Sequence, residues 1–253
     1  MALWAAKRRM MYGGGVLLVV FMTLFILFWN VFYRAPTCSD KVKNGDETGI
    51  DCGGSCKNLC TNDALNPVVL WSKTFNISGD VYSAVAYVEN PNINSENKEA
   101  TYQFKIYDSE NKLIITKDGV TSIPKNKKIA IFENGIVLKN NKPKRTEFQF
   151  TSFGLWQKNT VVEPEISLKY GTITATSTSP ILTGTIYNDS LQNIPKIELV
   201  VLVLDSKENT TAASRTYIDN LSRNTSQDFV FTWQQPFVGD INVVNVIYQF
   251  LNP

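Results

Sequence analysis

The chain has 253 residues, with 25 Lys and Arg against 23 Asp and Glu and no histidine. The missing imidazole removes the commonest general base, the commonest zinc ligand and every Ser-His or Cys-His nucleophile arrangement. Residues 1–34 hold four of the bases (Lys7, Arg8, Arg9, Arg34) and no acid, which leaves 21 bases against 23 acids and no general attraction to nucleic acid.

Residues 1–12 read as a basic tail and residues 13–33, GGGVLLVVFMTLFILFWNVFY, as a transmembrane helix. The run is uncharged and, at ~1.5 Å per helical residue, long enough for the ~30 Å hydrocarbon layer. Lys7, Arg8 and Arg9 hold the N-terminus in the cytoplasm, and Trp29, Phe32 and Tyr33 stand where an outer aromatic belt belongs. A cleaved signal would have a shorter apolar core and a small-x-small exit, whereas this exit is aromatic and leads to Pro36. The expectation is an uncleaved single-pass anchor in the cell membrane, with everything beyond Arg34 extracytoplasmic.

All four cysteines (Cys38, Cys52, Cys56, Cys60) fall in residues 36–61. An even, clustered set just outside a membrane reads as two disulfides holding a segment too small to build a core, and the pairing stays open. A four-cysteine zinc site lacks its usual C-x2-C pairs here. Between the first two cysteines, Asp40, Asn44, Gly45 and Asp51 fall at positions 1, 5, 6 and 12 of a twelve-residue calcium loop, although Val42 takes a ligand position. Asp40, Asn44, Asp46 and Asp51 are therefore candidate calcium ligands, the alternative being an Asn-Gly turn with solvated acids. No other cofactor is expected. Cys38, Asp40, Asn44, Gly45, Asp46, Glu47, Thr48, Asp51, Cys52, Gly53, Gly54 and Cys56 resemble the C-x-D-G-x-x-N-G-D-E-T-x-x-D-C-G-G-x-C segment of bacterial surface proteins, with Lys41 in place of the usual glycine. That resemblance implies an extracellular spacer.

Beyond Cys60 the pattern is strands divided by Asn, Gly, Asp and Pro clusters, with no convincing amphipathic helix. Tyr102, Phe104 and Ile106 alternate with Gln103, Lys105 and Tyr107, and Phe229, Phe231 and Trp233 keep the same period of two. An internal repeat at an offset of about a hundred residues, one sandwich in length, aligns Val88-Glu-Asn90 with Ile186-Tyr-Asn188. It also aligns Tyr107-Asp-Ser109 with Leu204-Asp-Ser206, and Glu147-Phe-Gln-Phe150 with Ile247-Tyr-Gln-Phe250. The expected fold is mainly β: two tandem β-sandwiches, 67–157 and 164–253, joined by a linker over 154–165 in which Trp156 is placed to wedge between them. The run 197–204, IELVVLVL, demands cover on both faces, from its own domain, its neighbour or a partner.

Phe104, Ile106, Tyr107 and Asp108 resemble the FxLYD signature, of which the second copy keeps Asp205 but neither aromatic. FxLYD domains are similar to the immunoglobulin- and fibronectin-like sandwiches of late-embryogenesis-abundant proteins. The resemblance implies a structural role for these residues and no catalytic ones.

Lys125, Lys127 and Lys128, with Lys142, Lys144 and Arg145, form two basic loops suited to an anionic envelope polymer, or simply solvated. Trp71, Trp156 and Trp233 are sugar-stacking candidates or core residues. Asn76, Asn188, Asn209, Asn220 and Asn224 begin Asn-x-Ser/Thr triplets. Taken together, the residues point to a membrane-anchored interaction or scaffold protein with an envelope protein as partner, not an enzyme and without a small-molecule substrate. The alternative is a surface protein that recognises carbohydrate or an anionic polymer.

Overall fold

The computed structural model describes residues 2–32, 35–174, 179–237 and 241–251. Two compact units divide the chain, Met1–Cys56 and Lys57–Pro253. The second unit thus begins inside the cysteine-rich segment, ahead of Cys60.

The first unit opens with α1 (Ala2–Phe32), which carries no acid in its first turn. Within it Ala6–Trp29 is a 24-residue candidate span whose most apolar 18-residue window has a mean hydropathy of 2.3, with none of that window buried against protein. Apolar side chains cover every face, so nothing distinguishes a core side from a solvent side. Of the expected aromatic belt, Tyr33 and the side chain of Phe32 lie outside the described residues, as does Arg34. Turns and one isolated bridge, Gly49 to Cys52, make up the rest of the unit.

The second unit holds thirteen strands, all paired antiparallel. In the first module, β1 (Val68–Ser78), β2 (Val81–Glu89) and β5 (Lys128–Val137) form one sheet in the order β1-β2-β5. It faces a second sheet, β4-β3-β6, built from β3 (Ser95–Tyr107), β4 (Leu113–Ile123) and β6 (Arg145–Phe153), with the short β7 (Trp156–Lys158) also paired to β3. Alternation puts Ala84, Ala86, Phe104, Ile106, Ile129, Ile131 and Phe148 between the sheets.

In the second module, β8 (Ile166–Tyr170), β9 (Ile181–Asn188) and β12 (Ser226–Thr232) form the sheet β12-β9-β8. Opposite it lies β11-β10-β13, from β10 (Ile194–Leu204), β11 (Thr210–Leu221) and β13 (Val243–Phe250). Leu182, Ile186, Ile197, Leu199, Val201, Phe229 and Phe231 fill the space between. Strand for strand the two modules have the same order, apart from β7.

A third apolar cluster joins the modules. Val85, Ala130 and Phe132, on the outer face of β1-β2-β5, meet Val200, Leu202 and Ala213, on the outer face of β11-β10-β13. The run 197–204 is therefore buried twice: its odd positions in its own core, Val200 and Leu202 against the first module. Cover from its own domain and cover from the neighbour operate at once.

Two expectations need correction. Trp156 is not a wedge in a linker: it is 7% exposed, lies in the first core, and starts a strand paired with β3. Its carbonyl accepts from Leu59 N at 2.9 Å, while Lys158 N donates to Lys57 O at 2.8 Å, so 57–59 line the edge of β7. The pairing of this strand with β3 on one edge and with 57–59 on the other outweighs the turn signals around it. Secondly, Phe104 stands opposite Phe148, and Val201, equally four residues before its Asp, stands opposite Val246. The structural equivalent of Phe148 is thus Val246, not Tyr248. A shift of two preserves which side faces the core, so the pattern alone does not register it.

Candidate functional site

Cys38 bonds Cys56 within the first unit, and Cys52 and Cys60 are also disulfide-bonded, so no free cysteine remains. Glu47, 9% exposed, is the hub of the segment. Its Oε2 accepts from Asn44 N at 3.3 Å and Asp51 N at 3.4 Å, and its Oε1 lies 3.3 Å from Cys56 Sγ. Gly53 and Gly54 have φ of 78° and 51°. A Cβ on Gly54 would lie 2.1 Å from Asp46 O, and one on Gly53 would lie 1.8 Å from Thr48 Oγ1, so neither position admits a side chain. Lys41 also sits at φ 61°, a left-handed conformation that favours glycine.

The four candidate calcium ligands are engaged in local hydrogen bonds. Asp40 accepts from Asn44 Nδ2 at 2.8 Å and from Val42 N at 2.9 Å, which hold its carboxyl below the usual carboxylate range. Asp51 accepts from Lys41 N through both oxygens at 3.1 Å, and Asp46 from Ser55 Oγ at 2.7 Å. These oxygens accept from local N–H and O–H donors, while Asn44 Oδ1 is buried without a hydrogen-bond partner among the described residues. Among the described residues the cluster with metal-ligand geometry is Cys38, Glu47 and Cys56, and its sulfurs are bonded to each other, so it offers no thiolate.

The FxLYD-like residues are structural. Phe104 and Ile106 are fully buried, whereas Tyr107 lies on the opposite face, donating to Glu147 Oε2 at 2.9 Å beneath the Arg145 guanidinium. Asp108 Oδ1 accepts from Glu110 N and Lys112 N, both at 2.9 Å. Asp205 Oδ1 repeats this with Lys207 N at 2.9 Å and Asn209 N at 2.8 Å, and the Asn209 contact holds its carboxyl below the usual range. Asn90 and Asn188, each 1% exposed, are likewise equivalent. Asn90 Nδ2 donates to Ser95 O and Pro124 O, while Asn188 Nδ2 donates to Gln192 O, Leu221 O and Ser222 O. A glycan on Asn188 is incompatible with this fold.

The basic loops are partly consumed by internal contacts. Lys125 Nζ donates to Asn159 O at 2.8 Å and Val161 O at 2.7 Å. Lys127 pairs with Glu163 and lies 4.6 Å from the Tyr248 ring centroid. Lys128 pairs with Glu89 at 3.9 Å and Arg145 with Glu147. Lys142 and Lys144 stand exposed, and they are what remains of a six-cation surface.

The polar groups missed at the sequence level lie at the module junction. Arg215 Nη1 donates to Phe132 O at 2.7 Å and to Glu198 Oε1 at 3.2 Å, with its guanidinium 5.0 Å from the Phe132 ring centroid. Tyr217 donates to the same Glu198 oxygen at 3.1 Å. Burial pushes the Glu198 carboxyl above its ordinary value, and Arg215 opposes that shift. Gln249 Nε2 crosses to Ser122 O at 2.9 Å, and Lys73 Nζ to Thr210 O at 3.2 Å. Glu198, as the lone charge in an apolar run, was the available signal for this network.

No family model matches the chain, and no curated protein matches it. Among solved structures, red sea bream transglutaminase aligns at 10% identity and a TM-score of 0.24, covering 73% of this chain and 30% of that one. A glycosyl hydrolase family 2 member from Bacteroides cellulosilyticus aligns at 11% and 0.21, over 67% of this chain and 26% of its own. A β-glucuronidase from glycoside hydrolase family 2 aligns at 10% and 0.20, over 81% and 26%. The chain spans less than a third of each of these structures, and the alignments carry no functional argument.

Proposed function

We propose that the chain is a membrane-anchored, extracytoplasmic interaction or scaffold protein of the cell envelope. A single uncleaved helix holds it in the membrane, the disulfide-closed segment acts as a spacer, and the paired β-sandwiches are displayed to a protein partner. The carrying observation is α1: a 24-residue span, Ala6–Trp29, with Lys7, Arg8 and Arg9 at its start and an 18-residue window of mean hydropathy 2.3 unburied by protein. Two disulfides favour the oxidising side of the membrane for the residues beyond the helix. The FxLYD-like assignment of the first module belongs to the same reading and is supported by Phe104 and Ile106 in the core and Asp108 in the turn.

A non-catalytic role is favoured because the carboxylates and tyrosines with shifted titration already serve turns and the junction. The partner engages loops and strand edges. Of the two ligand-binding alternatives, the anionic polymer loses support with the internal pairing of Lys125, Lys127 and Arg145. The test is alkaline extraction of membranes, protease protection of intact cells and N-terminal sequencing. The chain should stay with the membrane, lose its β modules to external protease and retain Lys7 to Arg9. Recovery of a soluble form beginning after residue 34 would overturn the anchor.

A further inference from the structure

The junction encloses a cleft that neither module has alone. Phe75 of β1 and Phe132 and Asn134 of β5 line one wall, and Arg215 of β11 with Trp233 and Phe237 beyond β12 the other. Its volume is about 470 Å³, within the ~300–1,000 Å³ of small-molecule sites. The Trp233 and Phe237 rings meet edge to face at 5.0 Å, so they form a continuous aromatic surface. Trp233 Nε1 is buried without a hydrogen-bond partner among the described residues, although buried indole N–H groups ordinarily have one.

Charge narrows the ligand. Arg215 is the single ionisable residue among the described lining residues, and its guanidinium is committed to Phe132 O and Glu198. The rest of the polar lining is neutral amide and hydroxyl, with Asn134, Gln234 and Gln235 exposed at the rim. Each primary amide offers a donor and an acceptor side by side, the pattern that adjacent sugar hydroxyls reciprocate. Aromatic rings accept the C–H face of a pyranose.

We infer that this cleft binds a neutral oligosaccharide, with the Trp233 and Phe237 rings as stacking surfaces and Asn134 and Gln234 as hydroxyl partners. The inference does not depend on the membrane reading. Full-length protein in detergent is titrated with neutral hexasaccharides of β-1,4-glucose, β-1,4-N-acetylglucosamine, α-1,4-glucose and mannose, read by calorimetry and tryptophan fluorescence. At least one should bind with a fluorescence change and little dependence on salt. Asn134→Ala and Gln234→Ala, both at exposed positions, should each weaken it by about tenfold, the equivalent of one good hydrogen bond. Trp233→Ala, which removes the stacking ring, should weaken it at least as much, with circular dichroism and melting checking that the fold is kept. No binding by any of the four sugars overturns the inference. So does binding unaffected by all three variants, binding that collapses with salt, or selection of peptides but not sugars from mixed libraries.

Discussion

Lys41 illustrates how a single backbone angle is set by its surroundings. The Asp51 carboxylate pins Lys41 N in the first unit, and the residue is held left-handed at φ 61° where a Cβ is unfavourable. Lys41→Gly is expected to stabilise the disulfide-closed segment by about 0.5–1 kcal/mol, less than the full left-handed penalty because glycine is also freer when unfolded. Its hydrogen-exchange protection is the readout. Asn188 shows the opposite case, a polar side chain that the interior requires. Asn188→Ala leaves three loop carbonyls short of a donor and should cost about 1–3 kcal/mol in urea unfolding. At the junction, Arg215 keeps 23% side-chain exposure and Glu198 13%. Arg215→Ala strands a largely buried carboxylate and should cost near the lower end of the ~3–5 kcal/mol typical of broken buried pairs. The sign with pH comes from the raised Glu198 carboxyl. The folded state holds the proton more tightly, so this contribution is fullest below the ordinary glutamate range and is lost as pH rises through the folded value. Arg215→Ala should therefore be more damaging at neutral pH than at pH near 4, and Glu198→Gln should remove that difference.

Among the described strands, β10, β2 and β5 are buried on both faces, β5 through Ile129 and Ile131 inward and Ala130 and Phe132 outward. In β10, Ile197, Leu199, Val201 and Val203 face inward and Val200 and Leu202 face the first module. In β2, Ala84, Ala86 and Val88 face inward and Val85 outward. The apolar run in β10 announced this arrangement, while β2, with Ser83, Tyr82 and two alanines, carried a weaker signal because small and amphipathic residues suit several environments. Leu202→Asp places a carboxylate between the modules and leaves both cores intact. It should expose the 159–165 connection to limited proteolysis and split one unfolding transition into two. Val201→Asp, its neighbour in sequence but on the opposite face of the strand, should instead unfold the second module outright.

Across the whole second unit, the stacking is head to tail: the β1-β2-β5 sheet of one module meets the β11-β10-β13 sheet of the other, which corresponds to β4-β3-β6 in the first. Such an arrangement is able to propagate unless its ends are polar. Both ends of this stack carry polar faces. Thr101, Gln103 and Lys105 cover one, with Gln103 bonded to Asp118. Ser167, Thr185 and Asp228 cover the other, with Thr185 bonded to Asp228. Polar groups on both outer faces thus disfavour adding a further module to either end of the stack.

Residue order was enough for the elements governed by local chemistry: an apolar helix, a cysteine-closed segment, strands of period two, and turns set by Asp108 and Asp205. Those depend on side-chain polarity and on hydrogen bonds spanning a few residues. The strand repeat was legible for the same reason, save for the two-residue slip at β13, which parity conceals. Folding in three dimensions was needed to put Trp156 in a core, to bind Lys125 and Lys127 to the connection between modules, to set the acids from Asp40 to Asp51 against local N–H and O–H donors, and to open a cleft between the modules. Each of these depends on which distant backbone or ring comes within a few ångströms, and residues 132, 198 and 215 meet only after both sandwiches have closed and stacked.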